Sequence, residues 1–201
     1  MKPNHLLKII LASASPRRLQ ILQEHRLTAV VMPAGIEEIQ QKDEEAKKYV
    51  TRLAKEKAQA ILPRIAADTA DLILAADTTV AYQNHILEKP LDDDDAYRML
   101  SMLSGKAHEV YTGYALVFLP EEWWWIDCVT TKITFHTLTE QQIKNYIDSG
   151  DPFDKAGGYG IQNVYNTFIK EITGSYYNVM GLPIEEILQC ISLHDFSQKR
   201  N

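Results

Sequence analysis

Apolar residues fall along the chain in two rhythms, short near-continuous runs and longer stripes at helical spacing, and these predict alternating strands and helices. Leu72-Ile73-Leu74-Ala75-Ala76 leads directly into Asp77-Thr78-Thr79-Val80. Such a run predicts a buried strand, here one that brings an acid to one end of a sheet. Leu6 to Ala12 predicts a first strand and Ala29 to Met32 a second. From Asp43 to Leu62, the residues Ala46, Tyr49, Val50, Leu53, Ala54, Ala60 and Ile61 keep helical spacing. Lys57 falls on that inward stripe, whereas Lys47, Lys48 and Lys55 do not.

Polar punctuation marks the ends of these elements. Ser15 and Pro16 suit the N-cap and first position of a helix carrying Leu19 and Leu22. Gln83-Asn84 predicts a hairpin turn, and Asp92 to Asp95 an acidic helix start complementing the dipole. Val110 to Leu119 and Trp123 to Phe135 predict a long antiparallel pair. Three successive tryptophans in the second strand cannot share one face, so at least one is expected at a surface or interface. Thr139-Glu140-Gln141-Gln142 has the capping-box pattern. Beyond a glycine-rich stretch at 157–160, Thr167 to Ile172 and Tyr177 to Met180 predict a last hairpin before a closing helix from Ile184. Residues 195–201 are expected to fray. The mixture of parallel-type connections and hairpins predicts an α/β fold built on a mixed sheet, with residues 1–201 forming a single domain.

Composition narrows the classes. With 201 residues, 45% hydrophobic and 24% charged, the chain is an ordinary globular sequence. No apolar run approaches the ~18 residues of a membrane span, and no signal peptide is evident at the start, so no membrane partner is expected. Two distant cysteines, Cys128 and Cys190, suit a reduced cytoplasmic protein. A net charge of −6 argues against nucleic acid as a partner, since that binding rests on neutralising phosphates.

Local charge leaves room for a small anion. Ser13, Ser15, Arg17 and Arg18 surround the expected strand-to-helix turn, where free backbone N–H groups favour a phosphate. Two cations in a first helical turn oppose the dipole, so they are either solvated or hold an anion. Lys57 either snorkels at the edge of its stripe or does the same. Lys89, made extended by Pro90, and Lys155, before the glycines, complete the cations; Glu37, Glu38 and Asp77 are the candidate carboxylates. Oxygen ligands among fixed cations suit a polyphosphate with Mg²⁺ or Mn²⁺. Histidine spacing disfavours zinc, and no G-x-S-x-G elbow supports a serine triad. Phosphoryl or nucleotidyl transfer with metal-assisted attack by water remains.

The segments SASPRR (13–18), GIEE (35–38), LAKEKA (53–58), AADTTV (75–80), EKP (88–90), MLSGKAHEVYTG (102–113), DKAGGYGIQ (154–162) and GLP (181–183) occur in an order that resembles the Maf family of nucleoside triphosphate pyrophosphatases. The resemblance runs from about Leu7 to Leu188. It implies a two-lobed, ITPase-like (Maf/Ham1) α/β fold with a central cleft, and cleavage between the α- and β-phosphates. Asp77 matches the family's proton acceptor. Ser13, Arg17, Glu38, Lys57, Lys89 and Gln162 match positions used for substrate, phosphate and metal, with Glu38 and Asp77 expected to share a divalent ion. Arg17, Thr78 and Gln162 are the set of the dTTP/UTP-type subgroup rather than the 7-methyl-GTP type. The resemblance also implies a homodimer, and leaves a non-catalytic, nucleotide-sensing regulator of septum formation as the alternative.

Overall fold

The chain, described by a computed structural model at residues 7–66 and 69–194, runs through β1 (Ile9–Leu11), α1 (Pro16–Glu24), β2 (Ala29–Val31) and α2 (Ala46–Ile61). There follow β3 (Leu72–Tyr82), β4 (His85–Leu87), α3 (Asp93–Leu103), β5 (Ala107–Phe118), β6 (Trp123–Phe135) and α4 (Glu140–Asp148). The last elements are α5 (Ile161–Val164), β7 (Ile169–Thr173), α6 (Tyr176–Met180) and α7 (Ile184–Leu193). The seven strands form one mixed sheet in the order β2-β1-β3-β5-β6-β7, with β4 also on β3. β1 is parallel to β2 and β3, and the other pairs are antiparallel. This is the expected mixed-sheet α/β fold. Leu6 and the expected frayed tail at 195–201 lie outside the described residues.

The register of β3 creates the cleft. β1 accompanies it only as far as Leu11 opposite Leu74, and β4 joins only at Val80. Between these points β3 is paired with β5 alone, so residues 75–79 present an open edge. Asp77 sits there, in mid-strand. It was expected at a strand end, but Thr78, Thr79 and Val80 continue the pairing with β5 and carry the strand on to Tyr82.

Side chains alternate across the sheet, and the two faces bury different partners. Ile73 and Ala75 pack with Ala54, Ala58 and Ile61 of α2. Leu72, Leu74 and Ala76 pack on the opposite face with Ile21 and Leu22 of α1 and with Ile184 and Ile187 of α7. Asp77 therefore faces α2, and Thr78 the α1 side. The tryptophans obey the same alternation: Trp125 packs with the larger cluster and Trp124 with the α2 side, while Trp123 stays 42% exposed.

The expected final hairpin is corrected. Tyr176–Met180 is a short helix, not a strand, because its ends are capped: the Ser175 side chain accepts from the Asn178 backbone, and Gly181 closes it at φ 107°. A five-residue segment with a good N-cap and a left-handed glycine after it favours one helical turn over a weak alternation. Other boundaries move by a few residues: α2 starts at Ala46 rather than near Asp43, and β7 at Ile169 rather than Thr167.

Candidate active site

A cleft of about 470 Å³ opens over the free edge of β3. Of the residues singled out from the sequence, Ser13, Ser15, Arg17, Arg18, Glu38, Lys57, Asp77, Thr78, Lys89, Lys155 and Gln162 line it, whereas the candidate carboxylate Glu37 is exposed and does not. The lining residues arrive from segments far apart in the chain, and their commitments within the cleft differ.

The carboxylate side is built on α2. Lys57 lies two turns after Val50 on the buried stripe of this helix. Its Nζ stands 2.6 Å from Asp77 Oδ1 and 2.6 Å from Glu38 Oε1. Glu38 rides on an irregular loop that α2 secures. Arg52 binds both carboxylate oxygens of Glu44 at 2.7 Å and donates to the Ile39 carbonyl, and the Tyr49 hydroxyl donates to the Glu38 carbonyl. Asp77 is 6% exposed. Burial raises its carboxyl above the ordinary value, against the pull of Lys57 and then Arg18. Burial also acts to raise Glu38, but Lys57, Lys89 and Arg18 outweigh it and hold that carboxyl low. The two acids thus divide into a fixed anion and a more basic carboxylate, the separation that acid–base chemistry uses.

The phosphate side is built on α1. Ser15 occupies its N-cap position and Pro16 its first turn, although the Ser15 hydroxyl makes no cap bond. Arg18, 8% exposed, donates from Nε to the Gly181 carbonyl (2.8 Å), from Nη1 to Ser13 Oγ (2.9 Å) and from Nη2 to Thr78 Oγ1 (3.1 Å). All three partners are neutral. Burial lowers the pKa of this guanidinium while Asp77 and Glu38 act to raise it. A desolvated cation with donors to spare gains most from an incoming anion.

The other cations differ. Among the described residues Arg18 and Lys89 make no ion pair, whereas Arg17 Nη1 meets Asp154 Oδ2 at 3.2 Å. Lys155 is bound by Asp151 and Asp154 and by the Asp151 carbonyl, which makes it a brace of its own loop. That loop also closes onto β3: Gly157 has φ +68° and leaves no room for a Cβ, which would meet Val80 Cγ2 at 2.8 Å. Gln162 lies exposed in α5, and Asn163 beside it is helical and donates to Asp151.

Sequence reasoning did not single out Glu88, Thr112, Gly113, Asp154 or Asn178. Glu88 borders the acids; surrounding protein and then the charge of Asp77 raise its carboxyl. Thr112 and Gly113 stood in one of the matching segments, and only the strand register gives them a reason. His108 is no rival base: burial pushes its pKa down to about 3, and Nε2 is engaged with the Tyr159 hydroxyl at 2.8 Å.

Among the described residues no three metal-type side chains converge. Glu38 and Asp77 do converge, and a pair of carboxylates fits Mg²⁺ or Mn²⁺, which draw their remaining ligands from water and substrate phosphates. Among the described residues no helix is long and apolar enough to cross a membrane.

Comparison with known proteins agrees with the geometry. A dTTP/UTP pyrophosphatase of Shigella sonnei is 44% identical over 185 residues, 92% of this chain and 91% of that one. Another, of Koribacter versatilis, is 42% identical over 89% of this chain and 90% of its own. A third, of Clostridium perfringens, is 40% identical over 95% and 99%. The Ham1 protein of Staphylococcus aureus shares the fold, with a TM-score of 0.51 at 10% identity, covering 92% of this chain and 98% of that one. Residues 8–194 match the family described as Maf-like protein, and the chain belongs to the Maf family.

Proposed function

We propose that this chain hydrolyses dTTP and UTP to the nucleoside monophosphate and pyrophosphate. One observation carries the reading: a buried, raised carboxylate, Asp77, sits on an unpaired strand edge between a Lys57–Glu38 pair and an unneutralised Arg18. A polyphosphate spanning that edge meets cations from one face and a base from the other.

The triphosphate binds against Ser13, Arg18 and Lys89, and Arg17 turns to it from Asp154. Asp77 accepts a proton from water as its oxygen attacks the α-phosphorus. The bond from that phosphorus to the bridging oxygen breaks, and pyrophosphate leaves with the electron pair. Lys57 keeps Glu38 and Asp77 apart from mutual repulsion and holds Asp77 in orientation. Glu38 and Asp77 would hold Mg²⁺ or Mn²⁺, which supplies charge neutralisation and polarises the phosphoryl oxygens. Arg17, Thr78 and Gln162 select the pyrimidine. The same reading places the enzyme in the cytoplasmic nucleotide pool as a homodimer, with the exposed Trp123 as a candidate contact.

Pyrophosphate release measured across dTTP, UTP, CTP, GTP and 7-methyl-GTP with Mg²⁺ or Mn²⁺ tests the reading. Turnover greatest for dTTP and UTP is expected. Tight binding with no turnover of any nucleotide would instead indicate a sensor.

A further inference from the structure

Thr112 lies on β5 directly opposite Thr78 and is fully buried, out of reach of any substrate. Its hydroxyl is nevertheless one link from the cleft. Thr112 Oγ1 donates to the Asn178 carbonyl at 2.9 Å, and it stands 2.9 Å from Thr78 Oγ1. Thr78 Oγ1 in turn receives Arg18 Nη2 at 3.1 Å.

The directions of these bonds are fixed by chemistry. A backbone carbonyl only accepts, so the single Thr112 proton points to Asn178. The Thr78 proton must then point to Thr112, since the alternative, the Gly181 carbonyl, is 3.5 Å away. That leaves the lone pairs of Thr78 facing Arg18, whose guanidinium only donates. Asn178 anchors the far end: it is 0% exposed, and its Nδ2 donates to the Val110 carbonyl and to Thr131 Oγ1. The chain of donors therefore runs one way, from Arg18 through Thr78 and Thr112 into the short helix α6.

We propose that Thr112 is a positioning residue for nucleotide binding, acting through Thr78 to aim the Arg18 guanidinium at the triphosphate. Thr78 then influences substrate choice from the opposite face to Asp77, by setting the pose of Arg18. The anchoring is cooperative: Gly181, which caps α6, supplies the acceptor for Arg18 Nε, so α6 supports the guanidinium at both ends. Without the Thr112 oxygen, the Thr78 proton has only the Gly181 carbonyl to turn to, in competition with Arg18 Nε.

This inference rests on the pyrophosphatase reading, which wild-type turnover of dTTP reports separately. Thr112→Val, Thr78→Val and the double variant are compared for kcat and KM with dTTP, alongside their thermal unfolding. Thr112→Val is expected to raise KM about tenfold with kcat changed little, the loss of one oriented charge-assisted contact. Thr112→Ser, which restores the hydroxyl, is expected to stay within about twofold of wild type. In the Thr78→Val background the Thr112→Val change should add almost nothing, because both remove the same link. If Thr112→Val does not fold, Thr112→Cys, similar in shape with a weaker acceptor, takes its place in the cycle. Additive effects of the two substitutions, or an unchanged KM in Thr112→Val, would overturn the proposal while leaving the pyrophosphatase reading intact.

Discussion

Gly113 stands directly across the β3–β5 ladder from Asp77, and the backbone of α2 presses close against the sheet there. A Cβ there would lie 2.4 Å from the Val50 carbonyl carbon and oxygen and 2.6 Å from the Thr51 nitrogen. The missing side chain lets the helix backbone rest on the strand, and two turns later that helix delivers Lys57 to Asp77. Placement of the lysine thus begins with a residue that has no side chain at all.

Gly113→Ala is expected to lift α2 from the sheet, costing about 1–3 kcal/mol of stability as overpacked cores do. Because Lys57 is carried away from Asp77, kcat should fall by about 10- to 100-fold, the scale of a small misplacement of a catalytic group. Thermal unfolding and steady-state kinetics on the same preparation check both parts. Loss of stability with full turnover would show that the two are uncoupled.

The protonation of Asp77 sets the acid side of the pH profile. Its ionised form is the base, and burial raises its pKa above the ordinary 3.8, so turnover should decline on acidification sooner than for an exposed aspartate. Lys57 opposes that rise more than any other charge. Lys57→Gln should therefore move the acid limb of kcat/KM to higher pH, measured at fixed metal concentration. A limb that stays in place or moves lower would remove Lys57 from control of the base.

Arg17 is held by Asp154 across the mouth of the cleft, with side-chain exposures of 27% and 66%. A substrate phosphate or base must compete for it, but a pair this open is worth no more than about 1 kcal/mol. Asp154→Asn should lower KM for dTTP by up to about fivefold and leave thermal stability nearly unchanged. A raised KM would mean instead that Asp154 holds Arg17 in its working pose.

The amino-acid sequence made the strands, the long helix and the capping box of α4 readable because each rests on local spacing and local chemistry. Lys57 was legible for the same reason: a cation on an apolar stripe is conspicuous, and its two carboxylate partners explain it. The open edge of β3 was not legible, because it depends on where β1 stops and β4 begins. Helix α6 was misread as a strand because its five residues are too few to repeat an apolar stripe, and its caps decide the matter. Thr78 was legible as a site residue and illegible in its role, since only the folded structure brings its hydroxyl to Arg18 and Thr112. The engagement of Lys155 with Asp151 and Asp154 likewise follows from a loop conformation that spacing does not encode.

The central claim is that Asp77, at the unpaired edge of β3, is the base that activates water. Asp77→Asn keeps the size and hydrogen-bonding shape of the side chain and removes its basicity. Its turnover of dTTP, with binding of dTTP measured in parallel by calorimetry, is the most direct test. A kcat reduced by at least ~100-fold, the scale of general-base catalysis, with dTTP still bound is the expected result. Turnover close to that of the wild type, in a folded protein that binds dTTP, would contradict it.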